Sequence, residues 1–189
     1  MTNGSPFWLA ALWLTVATPP SLDAQTTTIV LVRHAEKAAD TGDADLSPTG
    51  QSRAEDLKTA LATFPVQAIF VSEYRRTLQT AAPTAAMLHL SPIAIAVHGD
   101  PGTHATATAA ALQRLAPGSA ALVVGHSNTI GRIVAILGGP HIPDLCDGEY
   151  ATLLVLELTP AMTPRLLRAT YGAPDPPEAL ACHHEMRLQ

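Results

Sequence analysis

The sequence predicts an α/β fold: a doubly wound, mostly parallel sheet sandwiched between helices, with an antiparallel C-terminal edge pair. Three observations carry that expectation. Short apolar runs alternate with helical patterns along the chain, as in layered folds built around a parallel sheet. The runs at residues 28–32 and 120–124 are continuously apolar rather than alternating, which suits strands covered on both faces. The runs also stop abruptly at polar residues, and ligands of such sheets gather outside the carboxyl ends of the strands.

The 189 residues suffice for one domain with a sizeable core and are too few for two domains of ordinary size. Hydrophobic residues at 47% against charged residues at 14% exclude a disordered or coiled-coil chain. The formal net charge of -5, without any Lys/Arg cluster, offers no field for nucleic acid. An anionic ligand would need cations concentrated locally.

Residues 1–24 read as a secretory signal peptide. Their apolar stretch, residues 7–17, falls short of the roughly 20 residues that span a bilayer, and a Pro-containing polar exit leads to Ala24. Cleavage near Ala24 would place the protein in the periplasm or outside the cell, with no stable membrane association. The domain then covers 25–172, and 173–189 reads as an extended, Pro-containing tail. In an oxidising compartment Cys146 and Cys182 suit a disulfide better than a metal site, since their spacing matches no zinc signature.

The elements follow in order. The first strand, residues 28–32, ends at Arg33 and His34. After a polar loop, Ser47 and Pro48 are placed as N-cap and first residue of a helix whose stripe is Ala54, Leu57, Ala60 and Leu61. A second strand covers 66–72. A helix entered at Arg75 or Arg76 runs to about Leu90, with Pro83 inside it. The third strand covers 93–97 and exits through a turn that carries Asp100. A helix over 103–115 follows, with His104 expected on its surface. The fourth strand, residues 120–124, runs into Gly125, His126, Ser127 and Asn128, and a helix extends from there to Leu137. Residues 151–158 and 165–171 form the antiparallel pair.

Arg33, His34, Arg75, Arg76 and His126 therefore gather at one end of the sheet. Arginine forks match phosphate oxygens bidentately and histidine supplies a nucleophile, so the set suits phosphoryl transfer. The residues resemble the histidine phosphatase, or phosphoglycerate mutase-like, superfamily. Arg33-His34-Ala35-Glu36 resembles its Arg-His-Gly nucleophile motif, and Leu46-Ser47-Pro48-Thr49-Gly50 its Leu-Thr-x-x-Gly helix start. Residues 72–81 resemble its Ser-x-x-x-Arg-x-x-Gln-Thr-Ala motif, and 125–128 its second histidine motif. The resemblance implies His34 as a nucleophile that forms a phosphohistidine, with Arg33, Arg76, His126 and Ser127 around the phosphate. It implies no cofactor and no metal.

Two features favour a phosphatase acting on a small phosphorylated substrate or a phosphoprotein over a mutase-like phosphotransferase. Asp40 stands where mutase-like members carry a phosphate-contacting Asn, and no insertion is large enough to enclose an intermediate. For the general acid the first candidate is Asp100, at the exit of the third strand, and the second is Glu149, before the fifth. Two other readings are a secreted phosphate-binding module without turnover and a serine α/β-hydrolase. The latter would use Ser127 with Asp144 or Asp147 and His183, but Thr129 breaks its nucleophile motif.

Both tryptophans, Trp8 and Trp13, lie in the leader. Protein recovered from the exported fraction is therefore expected to lack indole fluorescence, and its presence there would show a retained leader.

Overall fold

The computed structural model describes Met1, residues 25–180 and Cys182. Its elements are β1 (Thr27–Arg33), α1 (Pro48–Ala60), β2 (Ala68–Val71), α2 (Arg75–Leu88), β3 (Ile93–Ala94) and α3 (Pro101–Leu112), then β4 (Ala120–Gly125), α4 (Ile130–Ile136), β5 (Thr152–Leu158) and β6 (Arg165–Thr170). Apart from Met1, the leader expected over 1–24 lies outside the described residues, as do residues 183–189 of the tail.

The six strands form one sheet in the order β3-β2-β4-β1-β5-β6. The pairings β1 with β4, β4 with β2 and β2 with β3 are parallel, whereas β5 runs antiparallel to β1 and β6 antiparallel to β5. The expected mostly parallel sheet with an antiparallel edge pair is thus what the chain forms.

The continuous apolar runs follow from two-sided coverage. Along β1, Ile29 and Leu31 join the core beneath α3 and α4, and Val30 and Val32 join the core beneath α1 and α2. All four are fully buried. On β4, Ala121 and Val123 face the first core and Leu122 and Val124 the second. Two strands apolar on both faces can only sit at the middle of a layered sheet.

The start of α1 is set by Ser47, whose hydroxyl accepts from Gly50 N at 3.1 Å, with Pro48 in the first turn. Ser47 N also donates to the Glu36 carbonyl at 2.9 Å. A Cβ at position 50 would stand 2.2 Å from that same carbonyl oxygen, so only glycine lets the helix press against the loop after His34.

Three elements differ from expectation. The third strand is confined to Ile93–Ala94, because His98 and Gly99 both adopt positive φ, 49° and 77°, and turn the chain away from the sheet. His104 is buried rather than on the surface, since it lies on the face of α3 that carries Ala105, Thr108 and Ala109 inward. The described part of the tail does not run extended throughout. It forms a 3-10 turn at Pro177–Leu180 and packs Ala179 against Gly148. No helix among the described residues is long and apolar enough to cross a membrane.

Gly50→Ala is expected to cost about 1–3 kcal/mol, as overpacking of a closed contact does. Gly102→Ala is expected to be neutral or slightly stabilising, because its Cβ meets nothing closer than the Asp100 carboxylate at 3.5 Å. Thermal melts of the two variants check this, and equal shifts would reject it.

Candidate active site

The site is a consequence of strand register. Arg33 pairs with Gly125 across β1 and β4, so both strands end at one level and His34 and His126 emerge side by side. His34 N donates to the Gly125 carbonyl at 2.9 Å, and the two imidazole rings stand 5.4 Å apart. On β2, Val71 pairs with Val124, which brings Ser72 to the same level. Its hydroxyl lies 3.0 Å from His126 Nε2.

His34 Nδ1 lies 2.8 Å from the Ala35 carbonyl oxygen, which can only accept. That nitrogen therefore carries the proton, and the Nε2 lone pair is left free. Burial, followed by the charges of Arg33, Arg76 and Lys37, outweighs this bond and holds the pKa at about 3. His126 is pushed lower, to about 2, first by burial and then by His34, Arg76, His104 and Arg33 around it. Its Nδ1 lies 3.5 Å from Arg76 Nη2, a donor, which assigns the Nε2 proton to the Ser72 hydroxyl. Both rings are thus neutral at ordinary pH.

Arg33 is buried against the loop that precedes β5. Its Nη1 donates to the carbonyls of Cys146 at 2.6 Å, Asp147 at 2.8 Å and Glu149 at 3.4 Å. Its guanidinium carbon sits 4.2 Å above the Tyr150 ring. Arg76 stacks in the same way on Tyr74, also at 4.2 Å, and reaches Asp43 at 3.8 Å. The Nε–H groups of both arginines are buried without a partner among the described residues. Arg33, His34, Arg76, His126, Ser127, Lys37 and Asp147 line a shared cavity of about 380 Å³.

Of the residues expected around a phosphate, Arg33, His34, Arg76, His126 and Ser127 are brought together. Asp100 does not line that cavity, although Gly99 and Pro101 on either side of it do. It caps α3, where its carboxylate accepts from Gly102 N and Thr103 N and from the Thr103 hydroxyl, and those bonds lower its pKa. It lines a separate groove between α3 and α4. The physical reason is the His98–Gly99 turn, which delivers Asp100 to the helix start instead of the strand end. Glu149 does reach the correct end of the sheet, but its side chain is fully buried. It pairs with Arg168, accepts from Thr152 Oγ1 and accepts from Cys146 N at 3.2 Å. Asp40 is fully exposed and pairs with Lys37, which lines the cavity, at 3.8 Å. Of the serine-hydrolase candidates, Asp144 lines the α3/α4 groove, Asp147 shares the cavity with Ser127, and His183 lies outside the described residues. Cys146 and Cys182 form a disulfide with Cα atoms 6.0 Å apart. Among the described residues no cluster of His, Cys, Asp or Glu is placed to hold a metal ion.

Several supporting residues had no role in the sequence reading. The Thr80 hydroxyl accepts from Ala35 N at 2.9 Å and donates to the Arg76 carbonyl, so one side chain fixes the loop after His34 to the helix that carries Arg76. Gln79 accepts from Leu46 N and donates to Asp45. Buried Arg53 binds Glu36 through two nitrogens and also reaches the Tyr171 and Ala173 carbonyls. His104 stands 6.2 Å from His126. For Gln79 and Thr80 the resembling motif was the available signal. For Arg53 and His104 only the fold reveals the contact.

Residues 29–97 match the family model described as histidine phosphatase superfamily, branch 1. No curated protein sequence matches. Similar solved structures include mycobacterial hydrolase 1, with TM-score 0.58 and 16% identity, covering 78% of this chain and 100% of that one. The protein histidine phosphatase SixA complexed with tungstate gives TM-score 0.56 at 19% identity over 76% of this chain and 96% of that one. Mycobacterial glucosyl-3-phosphoglycerate phosphatase complexed with inorganic phosphate gives 0.57 at 16%, covering 77% and 97%. At these identities the likeness establishes the fold. The family match adds support for a phosphatase or phosphotransferase activity, and it includes Arg33, His34 and Arg76 while ending before His126.

The folded pKa values of about 3 and about 2 lie below the 6.5 of the unfolded chain. The unfolded state therefore binds more protons as pH falls from 6.5 towards 3, and stability declines through that window while no penalty exists above it. Urea midpoints at about pH 7 and pH 4.5 are expected to differ more in the native protein than in His34→Gln or His126→Gln. An unchanged difference in both variants would reject the neutral, buried state of these rings.

Proposed function

We propose, from the match to the histidine phosphatase superfamily over residues 29–97 and from the geometry at the strand ends, that this protein hydrolyses phosphomonoesters by forming a phosphohistidine at His34. One observation carries the reading. A neutral imidazole with its Nε2 lone pair free shares a cavity with two guanidinium groups whose buried Nε–H donors have no partner among the described residues. Buried donors are almost always satisfied, so orphaned ones beside a nucleophile mark where an anion binds.

In this reading the phosphoryl group sits between His34 and the Arg33 and Arg76 forks, with His126 and Ser127 beside it. The arginines neutralise charge that builds on the equatorial oxygens as Nε2 attacks phosphorus. The ring needs no base to activate it, because burial already holds it neutral. The remaining Nδ1–H bond to the Ala35 carbonyl keeps the ring oriented while Nε2 is phosphorylated. This chemistry calls for no cofactor.

Hydrolysis is favoured over transfer because the sequence carries no insertion large enough to enclose an intermediate. A cavity of about 380 Å³ suits a small phosphorylated compound or a phosphorylated side chain. The disulfide supports an oxidising compartment and, with the apolar leader, an exported enzyme.

Rapid alkaline quenching with labelled substrate is expected to trap a phosphoenzyme that is stable to alkali and labile to acid. His34→Ala is expected to lose both the label and turnover, and turnover of the native enzyme is expected to persist in chelator. Label remaining in His34→Ala would falsify the assignment.

A further inference from the structure

We infer that Asp147 is the proton donor to the leaving group. This inference rests on the hydrolase reading above and assigns a role that neither Asp100 nor Glu149 is placed to perform. An alkoxide cannot leave without a proton, so a group able to carry one must face the phosphate. Among the described residues that line the cavity, Asp147 is the only carboxylate. Its side chain is exposed, and nothing in the structure ties that carboxylate up as a helix cap or in a buried ion pair.

The backbone beneath it is fixed from several directions. Residues 146–149 form a tight turn closed by Glu149 N donating to the Cys146 carbonyl at 3.0 Å, with Asp147 and Gly148 at its corners. Arg33 Nη1 holds three carbonyls of that turn, including the one of Asp147 itself at 2.8 Å. The disulfide anchors Cys146 to Cys182. The Glu149 side chain folds back to Cys146 N and to Arg168. Asp175 accepts from Tyr150 N at 2.8 Å and Ala151 N at 2.9 Å. Leu145 N donates to the Ser127 carbonyl at 3.1 Å, which joins the turn to the loop that carries His126. A rigid turn that sets an acidic residue in the cavity lining, held by the arginine next to the nucleophile, keeps donor and nucleophile in a constant relation.

The proton balance closes over two steps. In the first, His34 Nε2 forms a bond to phosphorus, the bond from phosphorus to the ester oxygen breaks with its electron pair passing to that oxygen, and protonated Asp147 supplies the proton, releasing an alcohol. In the second, water attacks the phosphohistidine, the Asp147 carboxylate takes a proton from it, and the electron pair of the N–P bond returns to Nε2 as phosphate leaves. The proton gained in the second step is the one delivered in the next first step.

The experiment compares Asp147→Asn with the native, disulfide-intact protein on glycerol phosphate and on p-nitrophenyl phosphate. The exposed position and the unchanged backbone carbonyl favour normal folding, and the inhibition constant for inorganic phosphate checks the pocket. The expected result is a loss of about 10²- to 10⁴-fold in kcat/KM on glycerol phosphate. On p-nitrophenyl phosphate kcat/KM is expected to stay within a few-fold, with product appearing as a burst while His34 remains labelled. Equal losses on the two esters, or no loss on glycerol phosphate, would overturn Asp147 while leaving the phosphohistidine reading intact. A native protein that hydrolyses neither ester and takes no label at His34 would overturn both.

Discussion

The structure depends first on the parallel pairing of β1 with β4, in which Arg33 lies opposite Gly125. Side chains alternate along a strand, so a slip of one residue would send every buried β1 side chain into the wrong core and separate His34 from His126. Ile29 and Leu31 fill one core and Val30 and Val32 the other, and both sets are fully buried. Hydrophobic packing on two faces thus enforces a register whose chemical result appears only past the last apolar residue. The same packing binds and aligns, which is why the histidines need no long-range scaffold of their own.

The second constraint is electrostatic. The chain is acidic overall, with a formal net charge of -5, yet Arg33, Arg76 and Lys37 line one cavity with a single carboxylate among them. Burying guanidinium groups is costly unless their donors are satisfied. The fold meets that need by different means for each: backbone carbonyls and the Tyr150 face for Arg33, and Tyr74, His126 and Asp43 for Arg76. The stacking leaves Nε of each arginine unclaimed. In the proposed reading an anion completes what the described residues leave open, and burial, reinforced by the positive charge nearby, keeps the imidazoles neutral until it arrives.

Much of this was legible in the sequence because the central strands are apolar on both faces and stop at polar residues. The continuity of residues 28–32 and 120–124 identifies a covered sheet, and Arg33, His34, Arg76 and His126 stand where such a sheet ends. Asp100 was misplaced for a local reason. Sequence shows an acid at the end of an apolar run, but it does not show that positive φ at both His98 and Gly99 diverts the chain after Ala94. His104 was misjudged because the α3 face it shares with Ala105, Thr108 and Ala109 is too weakly apolar to declare itself as the inner one. Asp147 and Arg53 were illegible for a different reason. Arg33 reaches Asp147 across 114 positions and Arg53 reaches the Tyr171 carbonyl across 118, and long-range partners leave no periodicity behind.

The disulfide and its surroundings bear on when, during synthesis, the enzyme becomes an enzyme. Arg33 precedes Cys146 by 113 residues, and Cys146 is stapled to Cys182, near the end of the chain. Asp175 and the Ala173 carbonyl, which brace Tyr150 and Arg53, arrive almost as late. A polypeptide emerging amino end first carries its nucleophile for most of its length without the groups that orient the neighbouring arginine. In the proposed reading, competence is consequently a property of a chain synthesised through Cys182: shorter intermediates own the His34 imidazole but not its setting until the bond between Cys146 and Cys182 closes.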